Sequence, residues 1–175
     1  MSTLVWDALE RLLECANDQL ERAVCRSFVN PGDNAPHDSC ETVSRDGVVY
    51  DGQLWVGHLT DTAGWPSLTS DPITCATPFA ISIELGIVRC AQSKLNDVIL
   101  IPPPETLTAD ARQQEEDRQA LKNAWQCCWG VSGKDLLPPI WTPINPQGGC
   151  VGGVWTLILR DATCLCESPI LPVDS

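Results

Sequence analysis

Apolar residues recur at helical spacing through the first twenty positions of the chain. Trp6, Leu9, Leu13, Ala16 and Leu20 stand three or four residues apart, flanked by Val5, Ala8 and Leu12, which predicts an amphipathic helix over residues 3–22. Ser2 or Thr3 offers a capping oxygen, and Asp7 sits in or near the first turn, where negative charge is favoured. Ala23 to Val29 reads as a short strand stopped by Asn30-Pro31-Gly32. Residues 30–52, rich in Asn, Asp, Ser, Gly and Pro, keep no period and predict a long loop. Gln53 to Thr60 predicts a strand around Leu54-Trp55-Val56, and residues 61–78 predict another long loop. The period then changes to two. Phe79, Ile81, Ile83, Leu85 and Ile87 alternate with Ala80, Ser82, Glu84, Gly86 and Val88, so the strand Phe79 to Cys90 should bury one whole face.

Pro102-Pro103-Pro104 breaks the sheet pattern, and Thr108 is placed to cap a helix over residues 109–128. Ala111, Leu121, Ala124, Trp125 and Cys128 share its apolar face, while Gln113, Glu116, Asp117 and Gln119 read as solvated. Residues 138–146 are extended, Gly148-Gly149 forms a turn, and Val154 to Asp161 alternates as a closing strand. Helix, strands, helix, strands is the order of an α+β fold. The expected architecture is a mostly antiparallel sheet with the two main helices packed on one face, all in a single domain over 1–175. There is no repeat of 20 to 50 residues.

At 175 residues the chain can bury about 70% of its unfolded surface. Its 43% hydrophobic and 19% charged content fits a folded chain rather than a disordered one. Eleven basic against 23 acidic residues give a net charge of −12, which argues against a surface built to grip nucleic acid or an anionic membrane. The N-terminus has no basic-then-apolar leader pattern, and no stretch is long and apolar enough to span a bilayer, so the expectation is a soluble protein. Ten cysteines then read by default as reduced, packed thiols, with late crosslinking open to pairs whose geometry allows it.

Catalytic and cofactor chemistry finds little support. Cys127-Cys128 is too tight and Cys164-x-Cys166 too short for a zinc site, and neither His37 nor His58 flanks either pair in sequence. No metal, cofactor or catalytic residue is therefore assigned. Glu14 and Glu84 read as exposed polar positions rather than general acids. The run Gly148-Gly149-Cys150-Val151-Gly152-Gly153 precedes a strand and lacks the Lys and following helix of a phosphate loop. Its glycines permit a hairpin with positive φ or a close backbone approach between subunits. Trp6 and Trp155 fit core faces. Trp65, Trp129 and Trp141 fall among Pro and Gly and are the candidate interface residues, since Trp is enriched where subunits meet.

Several blocks carry a resemblance. They are Asp51-Gly52-Gln53-Leu54-Trp55-Val56, Leu85-Gly86-Ile87-Val88-Arg89-Cys90-Ala91, Trp125-Gln126-Cys127-Cys128-Trp129-Gly130, and the run from Trp141 to Trp155. Together they resemble the small neck proteins that join head to tail in long-tailed bacteriophages of actinobacteria. Near residue 25 the match thins to Cys25-Arg26, Val29 and Pro31-Gly32. The resemblance implies a structural virion protein, not an enzyme, that caps the tail tube as a tail terminator. It further implies a homo-oligomeric ring, a hexamer by the habit of terminators, with the tail tube protein and the head-to-tail connector as partners. DNA would pass through the lumen unbound, and an acidic lining would let it slide. The expected location is the virion neck, with assembly in the host cytoplasm and no membrane contact. Loops 30–52 and 61–78 are the candidate inter-subunit contacts. A head-to-tail stopper is the nearest alternative, and a thiol- or metal-dependent enzyme a remote one.

Overall fold

Leu9 and Leu12 are fully buried and Cys15 and Ala16 continue their stripe, so helix α1 (Thr3–Gln19) packs on a face rotated away from Trp6. This is the computed structural model of the chain, which describes residues 3–31, 42–66, 78–90, 103–130, 134–147 and 150–161. Trp6 lies on the solvent side instead of in the core, and its Nε1 donates to Glu10 Oε1 at 2.8 Å. Asp7 follows the first turn, which contains no acid, and the helix stops at Gln19, three residues short of the expected end.

Strands β1 (Arg26–Asn30), β4 (Gln53–Ala63), β5 (Phe79–Cys90), β6 (Ile140–Gln147) and β7 (Cys150–Asp161) form one sheet in the order β1-β4-β5-β7-β6. Every pairing is antiparallel except β1 with β4, which is parallel and therefore needs a long crossover. Part of that crossover is a separate hairpin, β2 (Val43–Arg45) and β3 (Val48–Tyr50), where a plain loop was expected. Asp46 (φ 54°) and Gly47 (φ 78°) both take left-handed backbone, the arrangement that tight two-residue hairpin turns require. Asp61 to Ala63, also expected in a loop, extend β4 past an irregularity in register between His58 and Thr60. Gly64 N–H donates to Pro78 O at 3.0 Å and draws together the ends of the segment that follows. Residues 32–41 of the first expected loop and 67–77 of the second lie outside the described residues.

Helix α2 (Pro104–Asn123) begins five residues before the expected start because Pro104 opens it instead of ending the sheet. Proline suits a helix's first position, where its missing N–H would have had no partner. Thr108 is consequently inside the helix, and its Oγ1 donates back to Pro104 O at 2.8 Å instead of capping. After Asn123 the helix widens into a π-helical turn, Ala124–Cys128, closed by Trp129 N–H on Ala124 O at 3.0 Å.

Both helices cover one face of the sheet, as the sequence pattern predicts for an α+β fold. The core beneath them joins Leu9, Leu12 and Ala16 of α1 to Leu121, Ala124, Trp125 and Trp129, and to Leu54, Val56, Ile81, Ile83, Leu85, Ile87, Trp155, Leu157 and Leu159 of the sheet. Each fully buried leucine or isoleucine here contributes roughly 1.5–3 kcal/mol of hydrophobic stabilisation. The structure also joins Cys15 to Cys128 as a disulfide with Cα atoms 5.7 Å apart, in place of the reduced thiols expected by default. The bond ties α1 to the π turn.

The opposite sheet face has its own smaller cluster of Trp55, Val88 and Cys150, with Phe28 and Ile144 against it. Glycines make room for indoles on both faces. A Cβ on Gly86 would sit 2.2 Å from Trp55 Cζ2, and one on Gly153 would sit 2.2 Å from Trp141 Cζ2. Gly152 is closed against the neighbouring strand, where a Cβ would meet Ile87 O. The close approach expected between subunits at this glycine is thus made inside the chain's own sheet. The strand starts at Cys150, four residues before the expected Val154.

Candidate interface surfaces

One buried guanidinium fixes the root of the β2–β3 hairpin. Arg89, near the end of β5, points under α2 and meets Asp117 two-fold, Nε donating to Oδ2 at 3.0 Å and Nη2 to Oδ1 at 2.9 Å. Nη1 donates to Asp51 O at 2.6 Å and Ala23 O at 3.3 Å, and Nη2 also donates to Arg22 O at 3.0 Å. All the donor directions of the group are used, which is what burying a cation requires. Asp117, expected to be solvated, is buried because of this pairing, and Gln113 Nε2 donates to it at 3.3 Å. Asp51 closes the junction from the other side, its Oδ1 accepting from Cys90 N–H at 3.1 Å. Gly52 (φ 79°) allows the chain to turn there, since a Cβ would overlap Val88 O. Helix α2, the α1–β1 connection and strands β4 and β5 therefore meet at the base of the hairpin.

The hairpin itself projects. It joins neither edge of the five-stranded sheet, and Val43, Val48 and Val49 are 48%, 45% and 51% exposed. An isolated two-stranded hairpin is marginal in water, and three exposed valines add nothing to its solubility. A groove of about 300 Å³ between the hairpin and the α1–β1 connection is lined by Val24, Cys25, Val43, Arg45 and Tyr50. At the far edge of the sheet, β6 exposes Ile140 at 64%. Pro143, within β6, cannot donate to a further strand, which suits an edge that must not recruit a stray chain.

The three candidate tryptophans separate. Trp129 is 4% exposed in the core and its Nε1 donates to Ala8 O at 2.8 Å, so the chain's own fold consumes it. Trp141 is half-buried beside Trp155, ring centroids 5.5 Å apart, and keeps part of its surface at the β6 edge. Trp65 is half-buried just beyond β4, before a cis bond to Pro66. The hairpin valines are not among the candidates that the sequence pattern yields, although Asp46-Gly47 before Val48-Val49-Tyr50 is a short-range hairpin signal.

Charge is uneven. Asp7, Glu10, Glu14, Asp18, Glu21, Glu105, Glu115 and Glu116 are exposed on or beside the two helices, against Arg11, Arg22 and Arg112 as exposed bases there. The Arg118 side chain, hydrogen-bonded to Glu115, lowers that carboxyl below its ordinary value. The opposite sheet face presents Thr60, Thr62, Ser82, Thr142 and Thr156 with Glu84 among them. Among the described residues no group of three or more His, Cys, Asp or Glu converges as a metal site. His58 Nε2 lies 2.8 Å from Asp61 Oδ1, Glu14 is exposed and Cys127 is exposed. No described helix is long and apolar enough to cross a membrane. No protein-family model matches the chain, and no curated protein matches it.

Proposed function

We propose that this chain is a structural protein of a bacteriophage neck, a tail-terminator-like subunit that closes into a ring, caps the tail tube and joins it to the head connector. The observation that carries the proposal is the projecting hairpin, whose exposed valines stand on a rigid buried root and have no seat on their own sheet. A surface of this kind has its use in an assembly, with a neighbouring subunit of the ring as occupant.

The blocks of resemblance support the reading by where they fall. Asp51 to Val56 and Leu85 to Cys90 meet at the Arg89 junction and at Trp55 over Gly86. Trp125 packs edge-on against Trp155 at 5.8 Å, and Trp141 covers Gly153. Blocks far apart in sequence thus interlock as the contacts that shape one sheet. The charge distribution adds a constraint: an acidic lumen requires the helical layer to face the DNA passage. Like charge there repels phosphate and keeps the passage from binding it.

The test is electron microscopy of the protein mixed separately with the tail-tube protein and the head connector of the same phage. Rings seated on one end of each tube are the expected result. Rings that bind only the connector would make the chain a stopper, and particles that bind neither would end the neck reading.

A further inference from the structure

Cys90 ends β5, Cys150 opens β7, and the register sets them directly opposite each other. Both are thiols, in contrast to the joined Cys15 and Cys128. The backbone decides what kind of cross-strand pair they form. Cys90 N–H turns away from β7 and donates to Asp51 Oδ1 at 3.1 Å. On an antiparallel ladder a residue whose N–H faces one neighbour makes a non-hydrogen-bonded pair with the other, and the Cα atoms of such a pair stand about 4.5 Å apart. That lies inside the window of roughly 4.4–6.8 Å that a disulfide spans. Both side chains leave the sheet on the face away from the helices, where Cys150 packs with Trp55 and Val88.

We propose that Cys90 and Cys150 are a modification site, a cross-strand dithiol that a small organic disulfide of the glutathione type oxidises to a disulfide bond. Exposure sets the order of events. Cys90 is half-buried, whereas Cys150 is 4% exposed. The Cys90 thiolate attacks one sulfur of the reagent, whose S–S bond breaks and releases one thiolate. Cys150 as thiolate then attacks the Cys90 sulfur, forming the protein disulfide and releasing the second thiolate. Two electrons pass to the reagent, and the protons lost by the two cysteines end on its two thiols.

Burial pushes the Cys90 thiol up to about 11, and the adjacent Asp51 carboxylate pushes the same way. The site is therefore slow near neutral pH, a delay suited to a change that follows folding. The same exchange runs backwards with excess thiol, so the staple between the end of β5 and the start of β7 is reversible. This proposal does not depend on the neck reading.

The test treats the full-length protein, purified with reductant and desalted, with oxidised glutathione, then blocks remaining thiols with N-ethylmaleimide and maps the peptides by mass spectrometry. The expected product is a dithiothreitol-sensitive link between the Cys90 and Cys150 peptides, lighter by two hydrogens, that forms about tenfold faster per unit of pH between 7 and 9. Cys150→Ser should trap Cys90 as its glutathione adduct, and Cys90→Ser should leave Cys150 unmodified. The proposal is overturned if the wild-type protein stops at the Cys90 adduct, if Cys90 links to another cysteine, or if both thiols are alkylated after other cysteines have oxidised.

Discussion

Replacing Asp117 with Ala leaves the Arg89 guanidinium hydrogen-bonded to the backbone carbonyls of Arg22, Ala23 and Asp51, without the carboxylate that meets it two-fold. Removing one partner of a buried pair costs about 3–5 kcal/mol, and urea unfolding of Asp117→Ala should show a loss of that size. Combining it with Arg89→Met should recover part of the loss but stay below wild type, because the carbonyls of Arg22, Ala23 and Asp51 lose their donor. Cys90 gives a second prediction at this scale. Its folded thiol is held at about 11 against an ordinary 9.0, so the folded state keeps a proton that the unfolded chain releases. The associated stability is complete below 9.0 and declines as pH rises towards 11, a slope that denaturation across this range should detect and Cys90→Ser should remove. Neither role was legible in sequence. Arg89 falls in step with the buried face of the alternating strand, but the pattern names no partner for it, and Asp117 reads as part of a polar helix face, because only the tertiary fold brings β5 beneath α2. Trp129 is the parallel case, a residue whose Pro- and Gly-rich surroundings spoke for an interface although the π turn rotates it into the core.

Among the elements, α1 and the π turn are tied by the Cys15–Cys128 bond across a sequence separation of 113. Crosslinks that close long loops restrict the unfolded chain most, and removal typically costs about 2–4 kcal/mol. Cys15→Ser and Cys128→Ser should each lose that much in guanidinium unfolding without reductant, and both should match wild type when all three are measured with reductant. Elements with strong periodicity were readable: the bounds of β5 agree with its alternating pattern, and α1 was found with its last turn overextended and Trp6 wrongly placed on its apolar face. The misreadings share a cause. Pro104 and Asp46-Gly47 act by position, a proline that opens α2 and a dipeptide that turns a hairpin, and composition alone gave both as breaks. The glycines of β7 misled for another reason, since Gly152 and Gly153 are needed for the approach of Ile87 O and the Trp141 ring rather than for a turn.

For the whole molecule, a helix pair and a sheet share one well-filled core, while the hairpin beyond them is apolar, anchored and uncovered. That contrast separates stability from assembly. Val48→Lys with Val49→Lys touches only exposed positions of the hairpin, so monomer stability should change by no more than about 0.5 kcal/mol. The same pair of charges should block any interface that buries the hairpin, since desolvating an unpaired lysine is costly. Native mass spectrometry of the purified wild-type protein and this double variant, at equal concentration, tests the central claim most directly. The ring account predicts a closed oligomer of six copies for the wild type and a folded monomer for the variant. A wild-type protein that stays monomeric, alone and with its tail-tube protein, or a variant that assembles as well as wild type, would contradict it.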